Sequence, residues 1–179
     1  MVDLIVIGAG PAGLTAALYA LRAGKTVTVL EKGVFGGQMT YSPKLENYPG
    51  FLEISGNELA DKMMEQVLSH GAELEMETVT AIETVGETKK VITENGYFEA
   101  KAVIVATGAA HRHLGVEGEE ELIGNGISFC AVCDGDFYKG QTVAVIGGGN
   151  SALQEALLLS KTSSRLIIVQ NPSVLTGQQ

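Results

Sequence analysis

The sequence holds two cysteines in 179 residues, spaced as Cys130-x-x-Cys133 and followed directly by Asp134. A two-residue spacer lets two thiols close reversibly into a disulfide: one thiolate exchanges with a substrate disulfide and the other resolves the mixed disulfide. A structural staple and a zinc site are the competing readings. Staples are rare in reducing compartments, and two ligands cannot complete a tetrahedral zinc site unaided, so redox chemistry leads and no metal is assigned. Asp134 is the candidate acid–base group for the leaving thiolate, with a helix cap or turn former as its alternative.

Two glycine clusters carry the second kind of chemistry. Gly8-Ala9-Gly10-Pro11-Ala12-Gly13 fits G-x-G-x-x-G between an apolar run and a helical pattern, and Glu31 lies 23 residues past Gly8. Gly8 permits a tight turn, Gly10 lets the backbone approach a pyrophosphate, and Gly13 allows close helix–strand packing. The helix N-terminus offers N–H groups to the phosphates, and Glu31 would accept both ribose hydroxyls of an adenosine. The fingerprint does not by itself separate FAD from NAD.

Gly147-Gly148-Gly149-Asn150-Ser151-Ala152 fits the G-x-G-x-x-A variant and marks a second nucleotide site at Gly147, Gly149, Asn150 and Ser151. The same 23-residue count lands on Gln170, followed by Asn171 and Pro172, with no arginine in reach. A ribose 2′-phosphate calls for arginine, whereas glutamine bonds a free 2′-hydroxyl. The second turn is therefore expected to show no strong NADPH preference, leaving NADH, or no nicotinamide use, open.

These residues need elements to hold them. Val2–Ile7 reads as a strand buried on both faces, Leu14–Leu21 as a helix stopped at Arg22-Ala23-Gly24, and Val27–Leu30 as the returning strand, a βαβ unit. From Gly33 to Phe51 the chain is irregular, which in a compact domain signals function or disorder. Ser55-x-x-Glu58 is a capping box for a packing helix with Leu59, Met63, Val67 and Leu68 on one face, closed at His70-Gly71. Thr78–Ala106 predicts a small antiparallel meander turning at Gly86-Glu87 and Asn95-Gly96, then a further buried strand at Ala102–Val105 ending at Ala106-Thr107-Gly108. Thr142–Ile146, a helix from Ser151 to Ser160 and Leu166–Val169 repeat the opening order as a second nucleotide-binding half.

Bulk properties exclude more than they assign. A hydrophobic content of 45% suffices for a core, and a net charge of -9 argues against nucleic acid, which needs clustered lysine and arginine. Glu73, Glu75, Glu77 and the run Glu117 to Glu121 read as solvated surface, with a docking patch for a basic partner as the alternative. Leu4-Ile5-Val6-Ile7 is too short to span a membrane and no basic region precedes it, so neither anchor nor signal peptide is expected and a cytoplasmic setting is the default. His111-Arg112-His113 reads as exposed loop, and Tyr41 and Tyr48 as packing under the irregular segment or stacking near a flavin.

The sequence resembles the low-molecular-weight thioredoxin reductase family over essentially its whole length. The shared marks are Gly8 to Gly13 with Glu31, Gly36-Gly37-Gln38-Met39, Glu46-Asn47-Tyr48-Pro49-Gly50-Phe51, Ala106-Thr107-Gly108, Cys130-Ala131-Val132-Cys133-Asp134-Gly135 and Gly147 to Ala152. The resemblance implies an α/β fold: a Rossmann-like FAD-binding domain with the meander, at 1–114, and the start of a Rossmann-like pyridine-nucleotide domain carrying the cysteines, at 115–179. It implies Gly8, Gly10, Pro11, Ala12, Gly13, Glu31, Gly37, Gln38, Asn47, Thr107, Gly108 and Asp134 as FAD or flavin-site neighbours, and Cys130 and Cys133 as the redox disulfide, with Cys133 next to the flavin. It also implies NADPH or NADH as reductant, thioredoxin or a thioredoxin-like protein as partner, a homodimer, and hinges near Leu114 to Glu121 and past the chain end.

Two features differ from the family pattern. Gln170-Asn171-Pro172 stands where the family has a basic His-Arg-Arg segment, and the returning FAD segment is absent, so the chain reads as incomplete. The expected function is a flavoprotein disulfide reductase, with electrons passing from nicotinamide through FAD to Cys130–Cys133 and on to a protein disulfide. The alternatives are the flavoprotein arm of a peroxide-reducing system and a catalytically inactive FAD-binding fragment.

Overall fold

The computed structural model describes residues 1–171, so Pro172 and the second expected hinge lie outside the described residues. The chain forms two compact units, Met1–Arg112 and His113–Gln179.

The first unit is built on a six-stranded mixed sheet. In chain order its elements are β1 (Val2–Ile7), α1 (Pro11–Arg22), β2 (Val27–Glu31), a 3-10 turn (Gly37–Tyr41), α2 (Gly56–Ser69), β3 (Glu73–Met76), β4 (Val79–Val85), β5 (Thr88–Thr93) and β6 (Tyr97–Val105). The spatial order is β3-β2-β1-β6-β5-β4, with β1, β2, β3 and β6 parallel and β4, β5 and β6 joined antiparallel. Strand alternation explains why β1 is apolar from Leu4 to Ile7: Leu4 and Val6 pack with Leu14, Ala17 and Val67, while Ile5 and Ile7 pack with Val91 and Ala100. The parallel strands and the meander thus share one sheet, and β1 is sealed from both sides.

The helix α1 starts at Pro11, three residues before the expected Leu14, because proline's fixed φ suits the first helical position. The capping box forms as expected: Ser55 Oγ accepts from the Glu58 N–H at 3.1 Å. Leu68, expected on the buried face of α2, is 51% exposed. It lies about 100° around the helix from buried Val67, outside the stripe formed by Leu59, Met63 and Val67. The expected strand Ala102–Val105 is the end of the single nine-residue β6, and it is not buried. Ile104 and Val105 stand exposed at its end. The irregular segment carries a small core of its own, with Leu45 and Ile54 paired and packed on Leu59 and Met39. Tyr41 and Tyr48 are exposed on it rather than packed beneath it.

The second unit comprises α3 (Glu119–Leu122), α4 (Ala131–Asp134), a 3-10 turn (Gly135–Tyr138), β7 (Thr142–Ile146), α5 (Asn150–Leu159) and β8 (Arg165–Val169). Strands β7 and β8 pair in parallel from Thr142–Arg165 to Ile146–Val169, and α5 packs on both, repeating the strand-turn-helix-strand order of the first unit.

Candidate active site and nucleotide turns

The first glycine turn is fixed by backbone packing. Gly8 has φ +103°, and a Cβ there would fall 2.3 Å from the Ala106 carbonyl oxygen and 3.2 Å from Thr107 Cα. The Ala106-Thr107-Gly108 strand end is therefore pressed onto the turn, with Thr107 and Gly108 exposed beside it. At Gly13 a Cβ would meet the Gly8 carbonyl oxygen at 1.9 Å, so α1 and β1 approach as only glycine allows. Gly37 faces Gly10 Cα at Cβ-contact distance, and the Gly36 N–H donates to the Ala9 carbonyl at 2.8 Å. Gln38 follows in the same 3-10 turn. Asn47 lies exposed on the irregular segment, and no hydrogen bond among the described residues ties it to the turn.

A nucleotide fits this turn. A Cβ at Gly10 would meet nothing within 4 Å, and no side chain caps α1, so backbone N–H groups of its first turn face open space. Glu31, at the end of β2, does more than the sequence suggests. Its two carboxylate oxygens accept from the Ala9 N–H at 2.8 Å and the Gly33 N–H at 2.9 Å. A carboxylate has about four acceptor positions, so two remain for hydroxyl donors.

The second turn is looser. Gly147 has φ +130°, a Cβ there would lie 3.1 Å from the Ala152 methyl, and Gly149 faces open space at the uncapped start of α5, where Asn150 and Ser151 form the first helical positions. The Gln170 carbonyl oxygen is buried with no hydrogen-bond partner among the described residues.

Cys130 and Cys133 are joined, with Sγ–Sγ 2.17 Å and Cα–Cα 5.3 Å. Cys130 occupies the N-cap of α4, and its Sγ accepts from the Cys133 N–H at 3.2 Å. Val132 between them is exposed. The side chain of Asp134 caps no helix. Its Oδ2 accepts from Ser128 Oγ at 2.5 Å, while Oδ1 is buried without a partner among the described residues. Ser128 Oγ in turn accepts from the Cys130 N–H at 3.0 Å. One hydroxyl therefore links the acid to the cysteine backbone.

Residues 2–178 match the family model described as pyridine nucleotide-disulphide oxidoreductase. The chain belongs to that family. Within it, the thioredoxin reductase of Listeria monocytogenes is 46% identical over 177 residues, covering 99% of this chain and 56% of its own length. The bifunctional thioredoxin reductase/thioredoxin of Mycobacterium leprae is 50% identical over 169 residues, 93% of this chain and 37% of its own. The crystal structure of thioredoxin reductase from Streptococcus pyogenes superposes with a TM-score of 0.93 at 47% identity, over 99% of this chain and 58% of that one. The chain thus spans about half the length of the Listeria relative and less of the mycobacterial one.

Three polar residues shape the second unit without having stood out in the sequence. Ser128 is two positions before Cys130, where nothing distinguishes it from a loop serine. Glu155, on α5, accepts from the Ala131 N–H at the start of α4. Glu119 was expected on the solvated surface as part of an acidic run, yet its side chain is 4% exposed. It accepts from the Leu114 N–H at 2.8 Å and the Gly115 N–H at 2.7 Å. Those bonds, the Leu114 N–H first, hold its carboxyl below the usual range against the opposing effect of burial, with His113 adding attraction at 3.7 Å. His111, Arg112 and His113 are exposed as expected, and the His113 ring lies edge-on to Phe129 with centroids 6.1 Å apart.

Proposed function

We propose that the protein is a flavoprotein disulfide reductase that draws electrons from NADH or NADPH, holds FAD on the Gly8–Gly13 turn, reduces Cys130–Cys133 and passes the electrons to thioredoxin or a thioredoxin-like protein. The observation that carries it is the bonded cysteine pair with an organised acid at Asp134, in the unit that also holds the second glycine turn. Family membership and relatives that are themselves thioredoxin reductases support the reading, and the mycobacterial relative fuses reductase and thioredoxin in one chain.

The residues to hold FAD are Gly8, Ala9, Gly10, Pro11, Ala12, Gly13 and Glu31, with Gly37, Gln38, Asn47, Thr107 and Gly108 around them; Gly147, Gly149, Asn150 and Ser151 would hold the nicotinamide nucleotide. FAD, when bound, supplies a two-electron relay between nicotinamide and disulfide. The chain's own part is sulfur chemistry. Two electrons and two protons break the Cys130–Cys133 bond and leave two thiols. One of them, as thiolate, attacks a partner sulfur; a mixed disulfide forms and the partner's second sulfur leaves and takes up a proton. The remaining cysteine then attacks the mixed disulfide, restoring Cys130–Cys133 and releasing the partner as a dithiol. Asp134 holds the proton exchanged at the sulfurs. Gln170 fits a free 2′-hydroxyl and repels neither form, so NADPH is not strongly preferred over NADH. A homodimer in the cytoplasm completes the reading.

The test is an anaerobic assay of the full chain with FAD, reduced nicotinamide and oxidised thioredoxin. Flavin absorbance should bleach and thioredoxin thiols should appear in step with nicotinamide oxidation. A chain that binds no FAD, or bleaches without yielding thiols, contradicts the proposal.

A further inference from the structure

The Ala131 N–H is the first free donor of the cysteine helix, adjacent to Cys130, and it is taken by the carboxylate of Glu155. The N-cap sulfur of Cys130 takes the Cys133 N–H at 3.2 Å, which leaves the Ala131 N–H to an anion, fixed in a partly buried bond one residue from the sulfur. Glu155 belongs to α5, whose first turn is the Gly149-Asn150-Ser151 nucleotide turn, and Leu159 one helical turn further on packs against Gly135, where an added Cβ would sit 3.1 Å from its side chain. The disulfide segment is thus fastened to the nucleotide helix at both of its ends.

We propose that Glu155 is a positioning residue that ties the Cys130–Cys133 turn to α5 and, by its charge, keeps the reduced dithiol protonated near neutral pH. The inference rests on reading the pair as redox-active. A carboxylate beside a thiol disfavours the thiolate as any like charge does. The other titratable groups bearing on the segment are Asp134, bonded through Ser128, and His113, which packs on Phe129 and pairs with Glu119. Release of Glu155's charge should be the larger lever, because it acts at the backbone next to Cys130.

The test uses the full chain, reduced by a phosphine so that neither flavin nor nicotinamide is needed, and follows iodoacetamide alkylation of the cysteines against pH. Glu155→Gln keeps an oxygen to accept from Ala131 but removes the charge. Its alkylation midpoint should fall by about one pH unit relative to wild type, with an unchanged unfolding midpoint. Glu155→Ala, which covers the case that the glutamine variant does not fold, should shift the midpoint in the same direction. Wild-type midpoints in both variants overturn the proposal, and a shift in the alanine variant alone reduces Glu155 to packing and overturns the electrostatic claim. Failure of the reductase reading would show instead as flavin that never reduces the wild-type disulfide, leaving this measurement intact.

Discussion

The two glycine turns share a strand-turn-helix-strand frame and are closed by different chemistry. At the first, helix meets strand backbone to backbone at Gly13, and Glu31 staples Ala9 to Gly33. At the second, a methyl group fits at Ala152, and the Gln170 carbonyl oxygen has no partner among the described residues. The contrast teaches that the acid of a dinucleotide fingerprint can be a structural staple before it is a ligand. A turn that lacks the acid keeps its topology without that staple.

Exchanging the third fingerprint residues should separate the two turns most widely. Gly13→Ala puts a Cβ 1.9 Å from a backbone oxygen that cannot move aside. It should cost about 3 kcal/mol or abolish folding, whereas Ala152→Gly should cost about 1 kcal/mol, the usual helix penalty of glycine. Chemical denaturation of both variants decides it, and equal losses would mean that the turns are packed alike. Next in size is Glu31→Ala, which removes two bonds to a charged acceptor and should cost about 3 kcal/mol together with FAD retention. Gln170→Ala should change stability by about 0.5 kcal/mol at most, since no bond to its carbonyl oxygen is lost. Steady-state rates should then show NADPH and NADH within about tenfold of each other, and Gln170→Arg should move the ratio toward NADPH.

The smallest effect concerns acid. Glu119 titrates below its ordinary value of 4.5 in the folded chain, so its contribution to stability is present above that pH and is lost as pH falls through the folded value. Glu119→Gln, which does not ionise, should flatten the fall in unfolding free energy as the pH drops below 4.5. An acid limb identical to wild type would remove Glu119 from the account.

Much of the frame was legible because its signals are local. Apolar runs, a proline at the first helical position, the Ser55–Glu58 box and the Asn95-Gly96 turn each act within a few residues, and the glycine spacing reports the turn geometry directly. What was not legible depends on residues distant in sequence. Glu155 meets Ala131 across 24 positions, and Ser128 matters only because Asp134 folds back over it. Glu119 was hidden by composition: its neighbours Glu120 and Glu121 are exposed, and nothing in an acidic run marks the member that turns inward. Leu68 and the end of β6 misled for the opposite reason, because an apolar residue next to a stripe or in a strand can still be left uncovered.

The claim on which the account depends is that Cys130–Cys133 is an electron acceptor and not a staple. The direct measurement is a thiol count on the FAD-loaded full chain after anaerobic addition of reduced nicotinamide. Wild type should gain two new thiols per chain, and Cys133→Ser should show no such gain. Bleached flavin with no new thiols in wild type would contradict it.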